Sequence, residues 1–532
     1  MQINIHVVYG IVAYVATGIV FLTFIFPWGY DEYGAVVTHL ELDDESFVNV
    51  YKNFLHAKGI EDGLLLDFII EIFLAIFIVP LRWTYAVGIS PLLGLARVMD
   101  FNWGSLRIIL SIPYAVLASI GLYLVYKSLL KLRLNINVLL LFLLLLLSSP
   151  SFVHWSFSLT SYASHIFCFG LILYSEINKE NMPKVLFGRL SILRSIPMIF
   201  NYQYIPIIFF IGIFDFFQKR PFFSKKLLSW VFPGVIAFLS LSFLYFRFKL
   251  LDKHGNPALS VMSQNESMNY SFIDHTSSFP EAVSFLFSRI YDIFEYYFSM
   301  DVSSFISSNY SNYNFLLSLV ALLLILVIFL YFKKINSKAC YFVIAFISGH
   351  FAMNLLGILP MMPSRHALVI LPPFAFMFAI IASEKLPSEL FKRDFFLIAM
   401  SIWLLVNIGR YTLLENENNI PMEKVDVVLQ NHKINHLIMS PCSLEPVLHA
   451  EMRKKYIMLY SCGQRIIKTL PNSAAKVAFY SHNGDTLPAT LRHLKDYSMG
   501  EWQLLELFDY KTTNEIIKGE PRYNLFIFRK KK

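Results

Sequence analysis

The chain has 532 residues, of which 56% are hydrophobic and only 15% are charged, whereas an ordinary soluble protein is about 25% charged. A soluble fold cannot bury that much apolar surface, so we expect lipid to surround most of the chain. The net charge of +8 is typical of a membrane protein with basic cytoplasmic loops and does not indicate a nucleic-acid partner.

Eleven apolar runs within residues 1–413 predict a polytopic bundle of membrane-spanning helices. The first run is too long for the apolar core of a cleavable signal, so we interpret it as a retained span. Several runs lie near the lower limit of about 17 residues for a spanning helix. The runs are 6–26, 105–126, 135–149, 157–176, 188–201, 202–218, 226–247, 313–332, 339–358, 366–383 and 394–412.

The connections after alternate runs are basic, and basic connections mark the cytoplasmic side. We therefore predict a cytoplasmic N-terminus and an integral protein of the bacterial inner membrane. The other, extracytoplasmic side receives the segments 27–104, 150–156, 248–312, 359–365 and the tail. The basic connections carry Lys127, Lys131, Arg133, Lys179, Lys184, Arg189, Lys219, Arg220, Lys225, Lys226, Lys333, Lys334, Lys338, Lys385, Lys392 and Arg393.

Two segments of the outer loops are predicted to lie on the membrane face. The apolar run from Phe68 to Val79 in the first outer loop is short for a span, and Asp67 and Glu71 lie at helical spacing at its start. We interpret it as an interfacial helix, with a re-entrant hairpin as the alternative. The aromatic stretch 281–300 has a similar character.

The tail at 414–532 has ordinary polarity and predicts a small extracytoplasmic α/β domain. It contains no Gly-rich phosphate loop and no Cys/His metal spacing, so a structural or substrate-guiding role is expected. Cys442 and Cys462 would be able to pair outside the cytoplasm, but two cysteines do not decide this. Strands are predicted at 436–439, 456–460, 476–480, 502–508 and 523–528, and helices at 444–455 and 487–497.

The residues that carry chemistry stand just outside the predicted membrane on its outer face. Asp31 and Glu32 follow the first run directly. A carboxylate there can accept a proton from a hydroxyl nucleophile or hold a divalent cation; the alternative is a solvated acid that fixes topology. Arg365 and His366 precede a late run, and arginine is suited to a phosphate; the alternative is a side chain that reaches the interface.

Arg82 and Arg107 add positive charge at the outer end of the first loop, and Arg107 lies at the start of the second run. An ionisable residue at a membrane position is a candidate functional residue. His154 and His165 stand on either side of Tyr162, and we predict that these isolated histidines pack without binding a ligand. No histidine pair has metal spacing, so no metal site is predicted.

The layout resembles integral membrane glycosyltransferases of the GT-C fold, in particular the bacterial relatives of protein mannosyltransferases and of the lipid A aminoarabinose transferase. The similar motifs are short: the acids after the first run, a glycine-to-Arg107 start of the second run, an outer turn followed by Tyr162, and an arginine at 365 followed by two prolines. They read Asp31-Glu32-Tyr33, Phe101-Asn102-Trp103-Gly104-Ser105-Leu106-Arg107, Ser149-Pro150-Ser151-Phe152-Val153-His154-Trp155-Ser156, and Ser364-Arg365-His366 with Pro372 and Pro373.

The resemblance implies transfer of a sugar from a polyprenyl-phosphate donor to an acceptor hydroxyl on a glycan, lipid or protein. It assigns Asp31 as the base with Glu32 as its neighbour, and Arg365, Arg107, His366 and Arg82 to the donor phosphate. The sequence departs from the family in two places. His366 stands where an aromatic Tyr or Phe is commoner, and the Pro-Pro-Leu stretch of the first loop appears only as Val79-Pro80-Leu81 and Ser90-Pro91-Leu92. The alternatives are an O-antigen polymerase or ligase and a non-enzymatic transporter of lipid-linked sugar.

Overall fold

The computed structural model describes residues 5–24, 103–157, 161–179, 187–201, 203–217, 230–238, 278–298, 315–355, 365–385, 398, 402, 422–439, 450–462, 465–466, 475–482, 502–510 and 523–530. These residues are mainly helical and include one small sheet. They form two compact units. The helical unit contains the described residues within 1–21 and 111–405, and the sheet unit contains those within 22–53, 89–110 and 406–532.

Within residues 5–385, the described part of the chain is almost entirely helical. Residues 230–238 are also helical, and two 3-10 turns occupy Ser161–Ser164 and Arg365–Ile370. The other helices are α1 Ile5–Phe24, α2 Trp103–Leu132, α3 Asn137–Leu147, α4 Pro150–Ser156, α5 His165–Asn178, α6 Phe187–Phe200, α7 Tyr204–Phe217, α8 Phe279–Phe298, α9 Phe315–Ile335, α10 Ser337–Leu355 and α11 Leu371–Lys385.

Helices occupy most of the predicted apolar runs. A helix satisfies the backbone hydrogen bonds of such a run within the run itself, which an apolar environment requires. Within the described part, however, only Ser111–Leu132 and His366–Glu384 are long and apolar enough to cross a membrane. Helix α3 has 11 residues, about 16 Å at helical rise, which is less than a hydrocarbon core of about 30 Å. The structure thus leaves the eleven-span arrangement as a prediction. The runs at 68–79 and, apart from two residues, at 394–412 lie outside the described residues.

Several element boundaries differ from the sequence expectation, for example at 150–156 and at 366–370. The predicted outer turn at 150–156 is the short helix α4, which Ser149 caps by accepting a hydrogen bond from the Phe152 amide at 3.2 Å. Pro150 follows the cap and has the backbone angle that a first helical turn needs. The late run at 366–383 opens as a 3-10 turn, and α11 starts only at Leu371, directly before Pro372 and Pro373.

The core of the helical unit is built from aromatic rings and from glycines at close helix contacts. Gly170 on α5 meets the backbone of Gly121 on α2, and any added Cβ would overlap the facing carbonyl oxygen. The two helices therefore touch without intervening side chains. Elsewhere in the core, neighbouring ring centroids lie 4.9–6.2 Å apart in a cluster of Phe142, Phe169, Phe342, Phe346 and Phe376.

The sheet unit has six strands in the order β3-β2-β1-β4-β6-β5. Strands β1, β2 and β4 are parallel, whereas β3, β5 and β6 join as antiparallel neighbours. The five predicted strands are confirmed, and the predicted helix at 487–497 lies outside the described residues. The elements are α12 Met422–Asn431, β1 His436–Met439, α13 Ala450–Lys455, β2 Ile457–Cys462, β3 Arg465–Ile466, β4 Lys476–His482, β5 Trp502–Tyr510 and β6 Tyr523–Lys530.

Candidate functional site

Several of the connections that were predicted to face outward meet at one place in the helical unit. Helix α4 packs against both 3-10 turns, and the two turns also pack against each other. Helix α8, from the stretch predicted to be interfacial, packs on α4 as well. Segments that are far apart in the sequence therefore share one region, and their polar side chains are buried there.

Tyr162 and His366 form the centre of this region. Tyr162 Oη lies 3.0 Å from His366 Nδ1, and both residues are buried. The Tyr162 ring also has the Trp155 ring at 5.7 Å between centroids, in an edge-on arrangement. Edge-on contacts of this kind are favourable for aromatic rings, so the ring is held while its hydroxyl is directed to the histidine.

A side chain from the turn between α6 and α7 binds the backbone of the same histidine. The Gln203 side-chain amide donates to the His366 carbonyl oxygen at 3.1 Å. Gln203 is itself fixed, because its backbone amide donates to Asn201 Oδ1 at 3.0 Å. Asn201 and Gln203 are both buried, and buried amides are kept only where their hydrogen bonds are made.

A second tyrosine–histidine pair lies beside the first. His165 Nδ1 is 2.8 Å from Tyr204 Oη, and the His165 ring lies 5.8 Å from the Tyr162 ring. His165 Nε2 is buried without a hydrogen-bond partner among the described residues. We call Tyr162, His165, Gln203, Tyr204 and His366 the tyrosine–histidine cluster.

The cluster offers neutral donors and acceptors in a buried setting. Each histidine can be donor or acceptor at a given nitrogen, depending on its tautomer. Such groups can orient hydroxyl or phosphate oxygens, or hold a neighbouring chain segment in place. The described residues contain no group of three His, Cys, Asp or Glu side chains arranged to hold a metal ion.

Of the predicted site residues, some belong to this cluster or adjoin it and others do not. His366 is in it, and Arg365 is the first residue of the 3-10 turn that presents it. Arg107 lies in the first turns of α2. Asp31, Glu32 and Arg82 lie outside the described residues, so their assignments stay predictions, as does phosphate contact by the two arginines and His366.

Sequence reasoning did not select Gln203 or Tyr204, and it took His165 for a packing residue. One nitrogen of His165 does make the contact expected of a packing residue, but the other has no partner among the described residues. The signal that was available is the polar run at 201–204, Asn-Tyr-Gln-Tyr, between two apolar helices. A polar run at a helix junction indicates a capped or hydrogen-bonded turn.

A charged cluster elsewhere in the helical unit was also missed. Arg194 Nε on α6 donates to Glu176 on α5 at 2.7 Å, and Lys179 Nζ donates to the same carboxylate at 2.8 Å. The Arg194 guanidinium lies 3.8 Å above the Trp230 ring. We call Glu176, Lys179, Arg194 and Trp230 the ion-pair cluster. Its charges are satisfied within the protein, which favours a structural role.

Comparisons with protein-family models, with curated protein sequences and with solved structures find no match for this chain.

Proposed function

We propose that the chain is a polytopic membrane glycosyltransferase of the GT-C type. In this proposal, eleven helices span the membrane, and the sheet unit lies outside the cytoplasm. A sugar passes from a polyprenyl-phosphate donor to an acceptor hydroxyl on that outer face. The donor's isoprenoid tail is held in the membrane.

The observation that supports the proposal best is the meeting of the predicted outer segments around His366. Helix α4 and the two 3-10 turns come from the segments that carry two of the motifs on which the resemblance depends, the outer turn followed by Tyr162 and the stretch at Arg365. The buried contact between Tyr162 and His366 joins these two motifs. A region that combines fixed polar side chains with a neighbouring arginine suits a phosphate that gains charge as the sugar leaves.

The roles in the proposed reaction are few. Asp31, assisted by Glu32, takes the proton of the acceptor hydroxyl as its oxygen attacks the anomeric carbon. The bond from that carbon to the phosphate oxygen breaks, and the leaving polyprenyl phosphate is stabilised by Arg365 and Arg107. Arg82 adds positive charge on the same face.

The test measures label transfer from radiolabelled polyprenyl-phosphate sugars in membranes that contain the parent chain, Asp31→Asn or Glu32→Gln. We expect Asp31→Asn to lower transfer at least about a hundredfold, the usual scale of general-base catalysis. Asp44→Asn, a change in the same predicted loop, serves as the control and should keep the parent rate. Equal rates for the parent, Asp31→Asn and Glu32→Gln would refute the assignment of the base.

The orientation has its own test. A reporter enzyme that is active only outside the cytoplasm, fused after Lys532, should be active. If only a reporter that works in the cytoplasm is active at that position, the tail lies in the cytoplasm, which contradicts the proposed orientation.

A further inference from the structure

The residue that follows Arg365 is held by two other segments of the chain, one at its backbone and one at its ring. The His366 carbonyl oxygen accepts a hydrogen bond from Gln203 at 3.1 Å, and Nδ1 of its ring lies 3.0 Å from Tyr162 Oη. The partners are 163 and 204 residues away in sequence. These contacts fix both the main chain and the side chain of His366.

The two partners are themselves held firmly. The Asn201 side chain bonds Gln203 twice, at 3.0 Å to its amide nitrogen and at 3.5 Å to its side-chain oxygen. The centroid of the Tyr162 ring lies 5.7 Å from that of the Trp155 ring and 5.8 Å from that of the His165 ring. A support whose own side chains are locked by packing and hydrogen bonds holds a neighbouring group within the narrow limits that a binding site requires.

The polar character of this support needs a reason beyond stability. Apolar side chains of similar volume would fill the same space without the desolvation penalty of buried amides and hydroxyls. Hydrogen bonds between these side chains instead favour one arrangement. What they specify here is the main-chain position at the start of the 3-10 turn, and the residue at that start is Arg365.

We infer that Tyr162 and Gln203 are positioning residues for Arg365, which they hold through His366 so that its guanidinium meets the phosphate of a polyprenyl-phosphate ligand. This inference rests on the proposed function. Arginine binds phosphate best through two parallel hydrogen bonds, a geometry that depends on where its main chain starts. An unsupported arginine at a membrane boundary would turn toward water.

The test measures equilibrium binding of radiolabelled polyprenyl phosphate, without a sugar, to the full-length protein in detergent. Binding needs neither the right sugar nor the right acceptor. We expect Arg365→Gln to weaken binding about tenfold or more, and Tyr162→Phe and Gln203→Leu each to weaken it about threefold to tenfold. Tyr126→Phe changes a tyrosine with the same 8% exposure as Tyr162 and should bind as the parent does.

A double variant separates positioning from general loss of structure. If Tyr162 acts through Arg365, then Tyr162→Phe should have no further effect on binding in the Arg365→Gln background. Losses that multiply in the double variant would overturn the inference, as would parent-like binding by both Tyr162→Phe and Gln203→Leu while Arg365→Gln binds weakly. Failure of the parent chain to bind polyprenyl phosphate would refute the proposed function and this inference together.

Discussion

Two of the clusters of buried polar side chains in the helical unit have opposite character. The ion-pair cluster contains full charges, with Arg194 1% and Glu176 8% exposed, and each charge has its counter-charge beside it. The tyrosine–histidine cluster is built from neutral groups, and His165 Nε2 in it has no partner among the described residues. Complete pairing is typical of a structural element, whereas an unmatched buried polar atom indicates a place where a ligand or water can bind.

The largest effect is expected at the ion-pair cluster. Arg194→Met leaves the buried Glu176 with Lys179 as its remaining basic contact. The free energy of unfolding should fall by about 3 kcal/mol, because Lys179 compensates the buried carboxylate less fully than the two cations do together. Equilibrium denaturation in detergent measures the loss, with Arg189→Met, an exposed arginine on the same helix, as the control.

The double variant Glu176→Leu with Arg194→Met sharpens this prediction. It removes both charges, so it should recover much of the stability lost in Arg194→Met. If the double variant is less stable than the single one, the two residues do not stabilise each other mainly as a charge pair.

A smaller effect is expected in the tyrosine–histidine cluster. Tyr204→Phe removes the hydroxyl bonded to His165 Nδ1, and the free energy of unfolding should fall by about 1–2 kcal/mol, the usual scale for a neutral buried hydrogen bond. Thermal unfolding in detergent, followed by circular dichroism, provides the measurement. A loss as large as that of Arg194→Met would contradict the distinction between neutral and charged clusters.

The smallest effect is expected at Asp426 in the sheet unit, a partly exposed carboxylate that can be compared with the two buried clusters. Lys455 Nζ and Tyr456 Oη both donate to Asp426 at 2.6 Å. Burial raises the pKa of Asp426, but the hydrogen bonds from Lys455, Tyr456 and Gln430 outweigh it and leave that pKa below its ordinary value. Asp426→Asn at pH 7 should lower the free energy of unfolding by less than about 1 kcal/mol.

The pH dependence of that difference follows from the lowered pKa. The stabilisation by the Asp426 carboxylate is complete well above about pH 3.9, the pKa of an unfolded aspartate. It is lost as the pH falls from there through the lower folded pKa, because the proton then binds more readily to the unfolded chain. Urea unfolding between pH 7 and pH 3 should show the parent and Asp426→Asn converging; a widening gap toward acid would have the wrong sign.

Local elements were predictable where one physical pattern dominates. The strands at 436–439 and 476–480 follow from short, largely apolar stretches between polar segments, and the structure has them at His436–Met439 and Lys476–His482. Boundaries such as the 3-10 start of the 365–370 turn were not predictable, because the apolar run continues unbroken through it. Helix α12 also escaped prediction, since its sequence is of ordinary polarity.

The candidate site was predictable only in part, and the reason is sequence distance. His366 was selected by its place next to Arg365 before an apolar run. Gln203 and Tyr162, which hold it, are not neighbours of that run, and no periodicity in one segment reveals a hydrogen bond to another 163 or 204 residues away. The same holds for the contact between Glu176 and Arg194.

The sequence alone determined the apolar character of the chain, the helices at its apolar runs and the strands of its tail, because hydrophobic periodicity and local propensity act between near neighbours. Only the tertiary structure decided which buried polar groups meet. Those contacts depend on how closely the helices approach one another, as they do where the backbones of Gly121 and Gly170 touch. A polar side chain that packing removes from water must find its partner on whichever segment is brought beside it.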